Sequence, residues 1–499
     1  MQSNNISNFT QQKTLGVLGG GTAGYFTALF LKKKFPEATV TVVESSKIPI
    51  IGVGEATTPL MLRFLHQTLG FSVQEFFKET KPTLKLGVKF NWGKPGNYHY
   101  SNPFGGLDSS SSIFYKGDLE YASITSRLMA QNKTPFLFIK DKVKPIYIKN
   151  GMAYHIDNQL LVAYLKKKLH AAGCLIIDAT IKDVIKRENG LEIDYFISDD
   201  QQKLSFDTYF DCSGFQSLLL SKTMEANWID YGKSLKTNAA VLGKSPIKGG
   251  IKAYTTATTL DHGWLWETPT QEENHLGYVF SESFCDEEAA RNELRKHCPE
   301  INEEKVVRFR SGRYEKSWIG NVIGIGNAFA FIEPLESTGI HMILFQLNKF
   351  FKYVTQAKSI QEARILYNNR TNESWDNLKW FIALHFKFNF KLNTPFWRNV
   401  REETDLSGIQ DYLDYFHEKG PIFQEKMHPI YQKLSKDAIF GPFSFDLNLL
   451  GCGLGWEQFL KHKKPSEFRL KQMALDDLLV NQAISHESAL RYLESEVSS

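Results

Sequence analysis

The chain has 499 residues, with 59 Lys plus Arg against 55 Asp plus Glu and a formal net charge of +4. That near balance gives no reason to expect nucleic acid or an acidic surface as partner. Hydrophobic residues make up 42% and charged residues 23%, ordinary for a globular protein and enough for two or three domain-sized units or one composite fold. The five cysteines are odd in number and share no CxxC spacing, which argues against a disulfide framework or a zinc site, so no metal is expected. The polar start carries no apolar leader, and no run of 18 apolar residues occurs, so neither a signal peptide nor a membrane span is expected, and the cytoplasm is the expected compartment.

In chain order, Thr14–Leu18 reads as a short buried strand, followed at once by Gly19-Gly20-Gly21-Thr22-Ala23-Gly24. The residues from Tyr25 to Lys34 then read as a helix stopped by Pro36. Those from Ala38 to Val43 read as a second strand ending at Glu44. This is a G-x-G-x-x-G fingerprint in its strand–turn–helix setting, which points to a bound dinucleotide. Gly19 permits the tight turn, Gly21 lets the backbone approach a pyrophosphate, and Gly24 lets helix and strand pack closely. Thr22 and Ala23 open the helix whose amides would hold that pyrophosphate. Glu44, 20 residues past Gly24, can accept from a ribose hydroxyl. A glycine-punctuated loop from Ile48 to Pro59 follows, and it contains Gly54 and Ala56.

Thr83-Leu84-Lys85-Leu86-Gly87-Val88-Lys89-Phe90-Asn91-Trp92 alternates, with Leu84, Leu86, Val88 and Phe90 on one side. By itself the pattern describes a half-buried strand with solvated lysines. Asn102-Pro103-Phe104 comes next, then a polar patch at Ser109–Ser112 that reads as a surface loop. The residues from Phe206 to Cys212 form a strand ending in the small-residue turn Ser213-Gly214. Residues 221 to 310 read as strands and loops, including Gly277–Ser281 and Gly263-Trp264-Leu265-Trp266-Glu267-Thr268-Pro269. The residues from Val322 to Ile325 lead into Gly326-Asn327-Ala328. Pro334-Leu335-Glu336-Ser337-Thr338-Gly339-Ile340 then enters an apolar-periodic helix running to Val354. Glu336 could simply be a first-turn carboxylate favoured by the helix dipole, and the amides near Thr338 and Gly339 form a potential anion site. The rest is mainly helical, with a capping box at Ser359–Glu362. Gly451-Cys452-Gly453-Leu454-Gly455 has the wrong spacing for a second fingerprint and follows no clear strand.

Taken together and in this order, the fingerprint with its Gly-Val-Gly-Glu-Ala-Thr loop, the Lys85 segment, the Trp264–Trp266 segment and the Pro334–Ile340 segment resemble the flavin-dependent halogenases, which include the tryptophan halogenases. Phe381-Ile382-Ala383-Leu384-His385, leading to Asn393–Arg398, is a weaker fifth segment. The likeness runs from about residue 14 to 400 and departs from the family pattern at Thr268, where Ile is usual. It implies an α/β fold: a hydroxylase-type, Rossmann-like FAD-binding core with a mixed sheet and a mainly helical C-terminal region. The core would span 1–340, with inserted substrate-side strands at about 221–310, and residues 341–499 would close the substrate pocket.

The resemblance implies FAD, used as FADH2, held by Gly19, Gly21, Thr22, Ala23, Gly24, Glu44, Gly54, Ala56, Gly326 and Asn327. It implies halide (chloride, bromide or iodide) at Thr338 and Gly339. Lys85 and Glu336 would be catalytic. Trp264, Trp266, Phe104 and Ser337 would lie on the substrate side, the tryptophans keeping substrate away from the flavin. Hypohalous acid would travel to Lys85 and halogenate a small electron-rich aromatic there. No second fingerprint suits NAD(P)H, so a separate flavin reductase is the expected partner, and a homo-oligomer is possible. Tryptophan halogenases carry His where Asn102 stands, and no set that grips a free amino acid is identified beyond the candidates Gly441–Phe445 and Trp456. An indole, phenol or pyrrole other than free tryptophan is therefore favoured. The alternatives are an FAD-dependent aromatic monooxygenase of the same fold and a catalytically silent flavin-binding protein.

Overall fold

The computed structural model describes residues 9, 12–49, 54–105, 119–121, 123–139, 142–146, 148, 150–423, 425–436, 438–455 and 467–495. The Ser109–Ser112 patch, Trp456 and residues 50–53 of the glycine-punctuated loop lie outside them.

Thr14–Leu18 is the middle of a six-stranded sheet. The order is Leu175–Asp178, Thr39–Glu44, Thr14–Leu18, Thr208–Asp211, Val322–Gly324 and Trp318–Ile319. The first five run parallel, and the last folds back as a hairpin. Parallel strands buried on both faces read as continuous apolar runs, which is why these were visible in sequence. The fingerprint helix spans Thr22–Lys34, starting earlier than the periodicity suggested because Gly21 already occupies the N-cap. It packs against the sheet beside helices Asn158–Ala171 and Gly339–Gln356.

A second sheet has seven strands, ordered Asn302–Arg308, Ala239–Ser245, Asn274–Phe280, Gly263–Pro269, Thr255–Leu260, Gly87–Asn91 and Tyr100–Pro103. Its strand Gly263–Pro269 carries both Trp264 and Trp266, which join a core shared with the C-terminal helices. Within 221–310 the chain also forms a helix, Glu287–His297, which was expected as strand or loop. Its signals were present: Asp286 caps Ala289 N, acids open it, and Arg295, Lys296 and His297 close it.

The Lys85 segment is not one strand. Thr83–Lys85 belongs to a three-stranded antiparallel sheet with Ala153–Asp157 in the middle and Gly54–Ala56 beyond. Gly87–Asn91 belongs to the seven-stranded sheet. Leu86 is the crossing point, its N–H bonding Ala253 O and its carbonyl accepting from Phe104 N. The small sheet thus ties the glycine-punctuated loop to the lysine across a single intervening strand. Helices from Gly339 onward complete the core: Gly339–Gln356, the long Ile360–Lys387, Pro395–Glu403 and Pro442–Gly451. Ser359 caps the long helix through Glu362 N, as its capping box predicted. The chain then returns, with Ala483–Ser485 pairing on Lys133–Ile139 and the helix from His486 packing near the lysine strand.

Candidate active site

The dinucleotide cradle is shaped by what its glycines exclude. Gly19 has φ +124, and a Cβ there would lie 2.3 Å from Cys212 O. A Cβ on Gly24 would lie 1.8 Å from Gly19 O, so helix and turn touch through backbone. At Gly21 a Cβ would meet nothing within 4 Å, which leaves the helix N-terminus open to a ligand. Thr22 Oγ1 donates to Asn158 Oδ1 at 2.8 Å. Gly326, at φ +60, packs on Ile343 and Ala23 and donates its amide to Gln346 Oε1, while Asn327 is exposed. Gly54 donates to His275 Nδ1, and Ala56 pairs with His155. Glu44 ends its strand as expected, but protein groups occupy both oxygens: Tyr25 Oη at 2.5 Å and Lys166 Nζ at 2.6 Å. The remaining open surfaces suit a dinucleotide, and Glu55, on the same small strand as Gly54, has its carboxyl pushed up to about 7 by burial.

Lys85 is 0% exposed, which overturns the solvated-lysine reading. Its Nζ donates to Ser337 Oγ at 2.7 Å and sits 5.3 Å from the centre of the Phe104 ring. Burial pulls its pKa down to about 7, and the negative charge of Glu336 works in the opposite direction. Glu336 is also buried. Its Oε1 accepts from Asn102 Nδ2 at 2.8 Å and contacts His385 Nε2 at 3.0 Å, while Oε2 has no hydrogen bond to any described residue. Ser337 lies at φ +58, a left-handed conformation that costs a β-carbon residue energy and turns the chain between Glu336 and the following helix. Lys85, Glu336, Ser337 and Phe104 are thus brought together from three distant segments.

Behind the lysine, two histidines fix its strand. Thr83 Oγ1 donates to Pro269 O, so it accepts from His155 Nδ1, and His155 Nε2 pairs with Thr255 Oγ1. Leu84 N donates to His486 Nε2 at 2.9 Å, and His486 Nδ1 contacts Ile251 O. Burial holds both imidazoles well into the neutral form, His486 at about 4.

Trp264 and Trp266 share one face of their strand and are buried together. Trp266 lies over Gly277, where a Cβ would come within 2.2 Å of its ring. Among the described residues Trp264 Nε1 and Oε1 of the buried Glu333 make no well-formed hydrogen bond, yet the Trp264 indole lies close enough to the Glu333 carboxyl to act on it as a donor. Burial pushes the Glu333 carboxyl up to about 8, and Thr237 donates to its other oxygen. At the start of helix Gly339–Gln356, Thr338 is buried, whereas Gly339 is exposed with open space where a Cβ would be.

Phe445 is core, packing on Phe381 and Tyr412, and Phe443 is partly buried. Gly451–Gly455 closes the helix Pro442–Gly451 rather than opening one, in keeping with its wrong spacing. Asn102, His385, His155, His486 and Glu333 were not assigned roles from sequence. Only His385 and Asn102 stood within segments already singled out. Among the described residues no cluster of His, Cys, Asp or Glu could hold a metal, and no helix is long and apolar enough to cross a membrane.

A parallel sheet with a glycine cradle, joined to a buried lysine–glutamate pocket, defines a dinucleotide-binding protein of Rossmann-like architecture. Similar proteins make the class specific. The family described as "Tryptophan halogenase" matches residues 14–444. Tryptophan 6-halogenase ThaL of Streptomyces albogriseolus is 29% identical over 444 residues, covering 82% of this chain and 83% of that protein. Tryptophan 7-halogenase RebH of Lentzea aerocolonigenes is 28% identical, covering 80% and 81%. The crystal structure of MibH, a lanthipeptide tryptophan 5-halogenase, superposes with a TM-score of 0.88 at 34% identity, covering 99% of this chain and 95% of that one. The chain therefore belongs to the tryptophan halogenase family of flavin-dependent halogenases.

Proposed function

We propose that this protein is a two-component halogenase that uses FADH2, oxygen and halide to halogenate an electron-rich aromatic ring at Lys85. The buried Lys85 beside Glu336 carries this reading, because a desolvated lysine whose Nζ makes one hydrogen bond among the described residues, to Ser337, suits a reagent-positioning task. Bound FADH2, with oxygen and halide, supplies hypohalous acid. The cradle of Gly19, Gly21, Thr22, Ala23, Gly24, Gly54, Ala56, Gly326 and Asn327 would hold the cofactor, and the amides of Thr338 and Gly339 the halide. Trp264 and Trp266 would keep the organic substrate from the cofactor side. Lys85 donates to the oxygen of hypohalous acid, and the ring attacks the halogen. A carbon–halogen bond forms, the O–X bond breaks, and the oxygen leaves as water. The ring proton passes to Oε2 of Glu336, and the C–H electron pair restores aromaticity.

The substrate we infer is an indole-, phenol- or pyrrole-type ring other than strictly free tryptophan. Asn102 spends its amide on Glu336, and the similar MibH is named for a peptide-borne tryptophan. A separate reductase would regenerate FADH2. The test is mass spectrometry of products formed with FAD, a flavin reductase, NADH, oxygen and bromide, with catalase present. The panel holds tryptophan, indole, phenols and tryptophan-containing peptides. A bromine isotope doublet made by wild type and not by Lys85→Ala is the expected result. A hydroxylated, bromine-free product would make the protein a monooxygenase instead.

A further inference from the structure

The site contains a buried histidine that the reaction above does not use. His385 is 0% exposed and sits in the last turn of the long helix. Its Nδ1 lies 2.9 Å from Phe381 O, and a carbonyl can only accept, so Nδ1 carries a hydrogen. Its Nε2 lies 3.0 Å from Glu336 Oε1. With Nδ1 protonated, a neutral ring would turn a bare lone pair on that carboxylate oxygen, so a proton must lie between the two. The same Oε1 accepts from Asn102 Nδ2 at 2.8 Å, and a donor already aimed at that oxygen favours the carboxylate over a protonated Oε1.

Three further features favour the cation on His385. The ring is enclosed by Phe90 at 5.2 Å and Phe381 at 4.8 Å between centroids. It lies at a helix C-terminus, where the dipole favours positive charge. Its carboxylate partner is itself buried. Of the neighbouring titratable groups, Lys85 and Tyr100 approach the pair from the glutamate side.

We propose that His385 is the positioning residue of the catalytic carboxylate, an imidazolium that with Asn102 clamps Oε1 and leaves Oε2 alone to take the ring proton. The proposal rests on the halogenase reading for its consequence but not for its geometry. The clamp holds Oε2 in one orientation and balances the carboxylate charge, so that Glu336 does not close onto Lys85 between turnovers. When the ring proton arrives at Oε2, the C–H electron pair returns to the ring, the His385 proton stays in place, and no electron is transferred.

Two measurements on the full chain test this. The first is 15N NMR of histidine-labelled protein near neutral pH, with the His385 signals assigned by their loss in His385→Gln. Protonated nitrogens at both ring positions, reverting to a neutral Nδ1–H ring in Glu336→Gln, are expected. A bare Nε2 in wild type would overturn the proposal, whether or not any product is ever brominated. The second compares a panel substrate with its ring-deuterated form. His385→Leu should lower kcat about 100-fold with KM little changed, and expose a primary isotope effect absent from wild type. His385→Gln keeps a donor at the Nε2 position and should recover about tenfold of that loss. Equal losses in both variants with no isotope effect would mean that His385 only supports the fold. If wild type brominates nothing, the reaction assigned above fails, while the NMR result still decides the clamp.

Discussion

Lys85 shows how a single residue couples chemistry to stability. Its pKa falls from 10.5 to about 7 in the folded chain, so the folded state holds fewer protons than the unfolded state between those values. Burial of the ammonium therefore costs stability in full below about pH 7, roughly 5 kcal/mol, and the cost fades as pH rises toward 10.5. Lys85→Met should raise the melting temperature at pH 6, with the gain shrinking by pH 9. The same variant should lose at least about 100-fold in halogenation if Lys85 positions the electrophile as proposed. Calorimetry and product mass spectrometry would read the two effects separately. Asn102→Leu removes a charge-assisted hydrogen bond from Glu336 worth about 1.5–3 kcal/mol. A fall of about tenfold or more in kcat, with flavin binding unchanged, is the expected outcome in steady-state kinetics.

At the scale of elements, the cradle depends on one helix meeting one turn through backbone. A methyl on Gly24 would sit 1.8 Å from Gly19 O, and no side chain can give way because the neighbour is itself main chain. Gly24→Ala should push helix Thr22–Lys34 off the turn and weaken FAD binding by about tenfold, ~1.4 kcal/mol, in a flavin-fluorescence titration. The strand, fingerprint and helix were readable because parallel strands and glycine spacing leave strong local signals. The break at Leu86 left none. An alternating ten-residue pattern looks the same whether it stays in one sheet or passes between two, and the partners Ala253 and Phe104 are remote in sequence. The helix Glu287–His297 was missed although its Asp286 cap and its charge distribution were visible, because the segment is mostly charged and buries only Ala290 and Leu294.

Across the whole molecule, the C-terminal return reaches back to the strand that carries Lys85. His486 supplies the acceptor for Leu84 N–H, the residue beside Lys85, from 402 positions away. His486→Phe keeps the ring volume and strands that buried donor. It should cost about 1–3 kcal/mol in urea unfolding and reduce halogenation as well. His486 and His341 are both held neutral, at about 4 against 6.5 unfolded. As pH falls below 6.5, the unfolded chain takes up these protons before the folded one. Their contribution is therefore complete above pH 6.5 and is lost toward pH 4, about 3 kcal/mol for His486 alone. A melting temperature that drops steeply across that window is the expected calorimetric result.

The sequence by itself determined the glycines of the cradle, the strands that flank it, the Ser359 cap, and which short segments carry lysine, glutamate and tryptophan. These follow from local rules: glycine where a Cβ cannot fit, apolar runs where a strand is buried on both faces, a Ser–Glu pair where a helix opens. Only the tertiary structure decided that Lys85 is fully buried, that Glu44 is already engaged by Tyr25 and Lys166, and that Asn102 and His385 converge on one oxygen of Glu336. A hydrogen bond across 49 or 234 residues has no periodicity, and a lysine on an alternating strand looks the same solvated or buried. What distinguishes them is which surfaces the folded chain closes over, and that is set by packing among all of its elements at once.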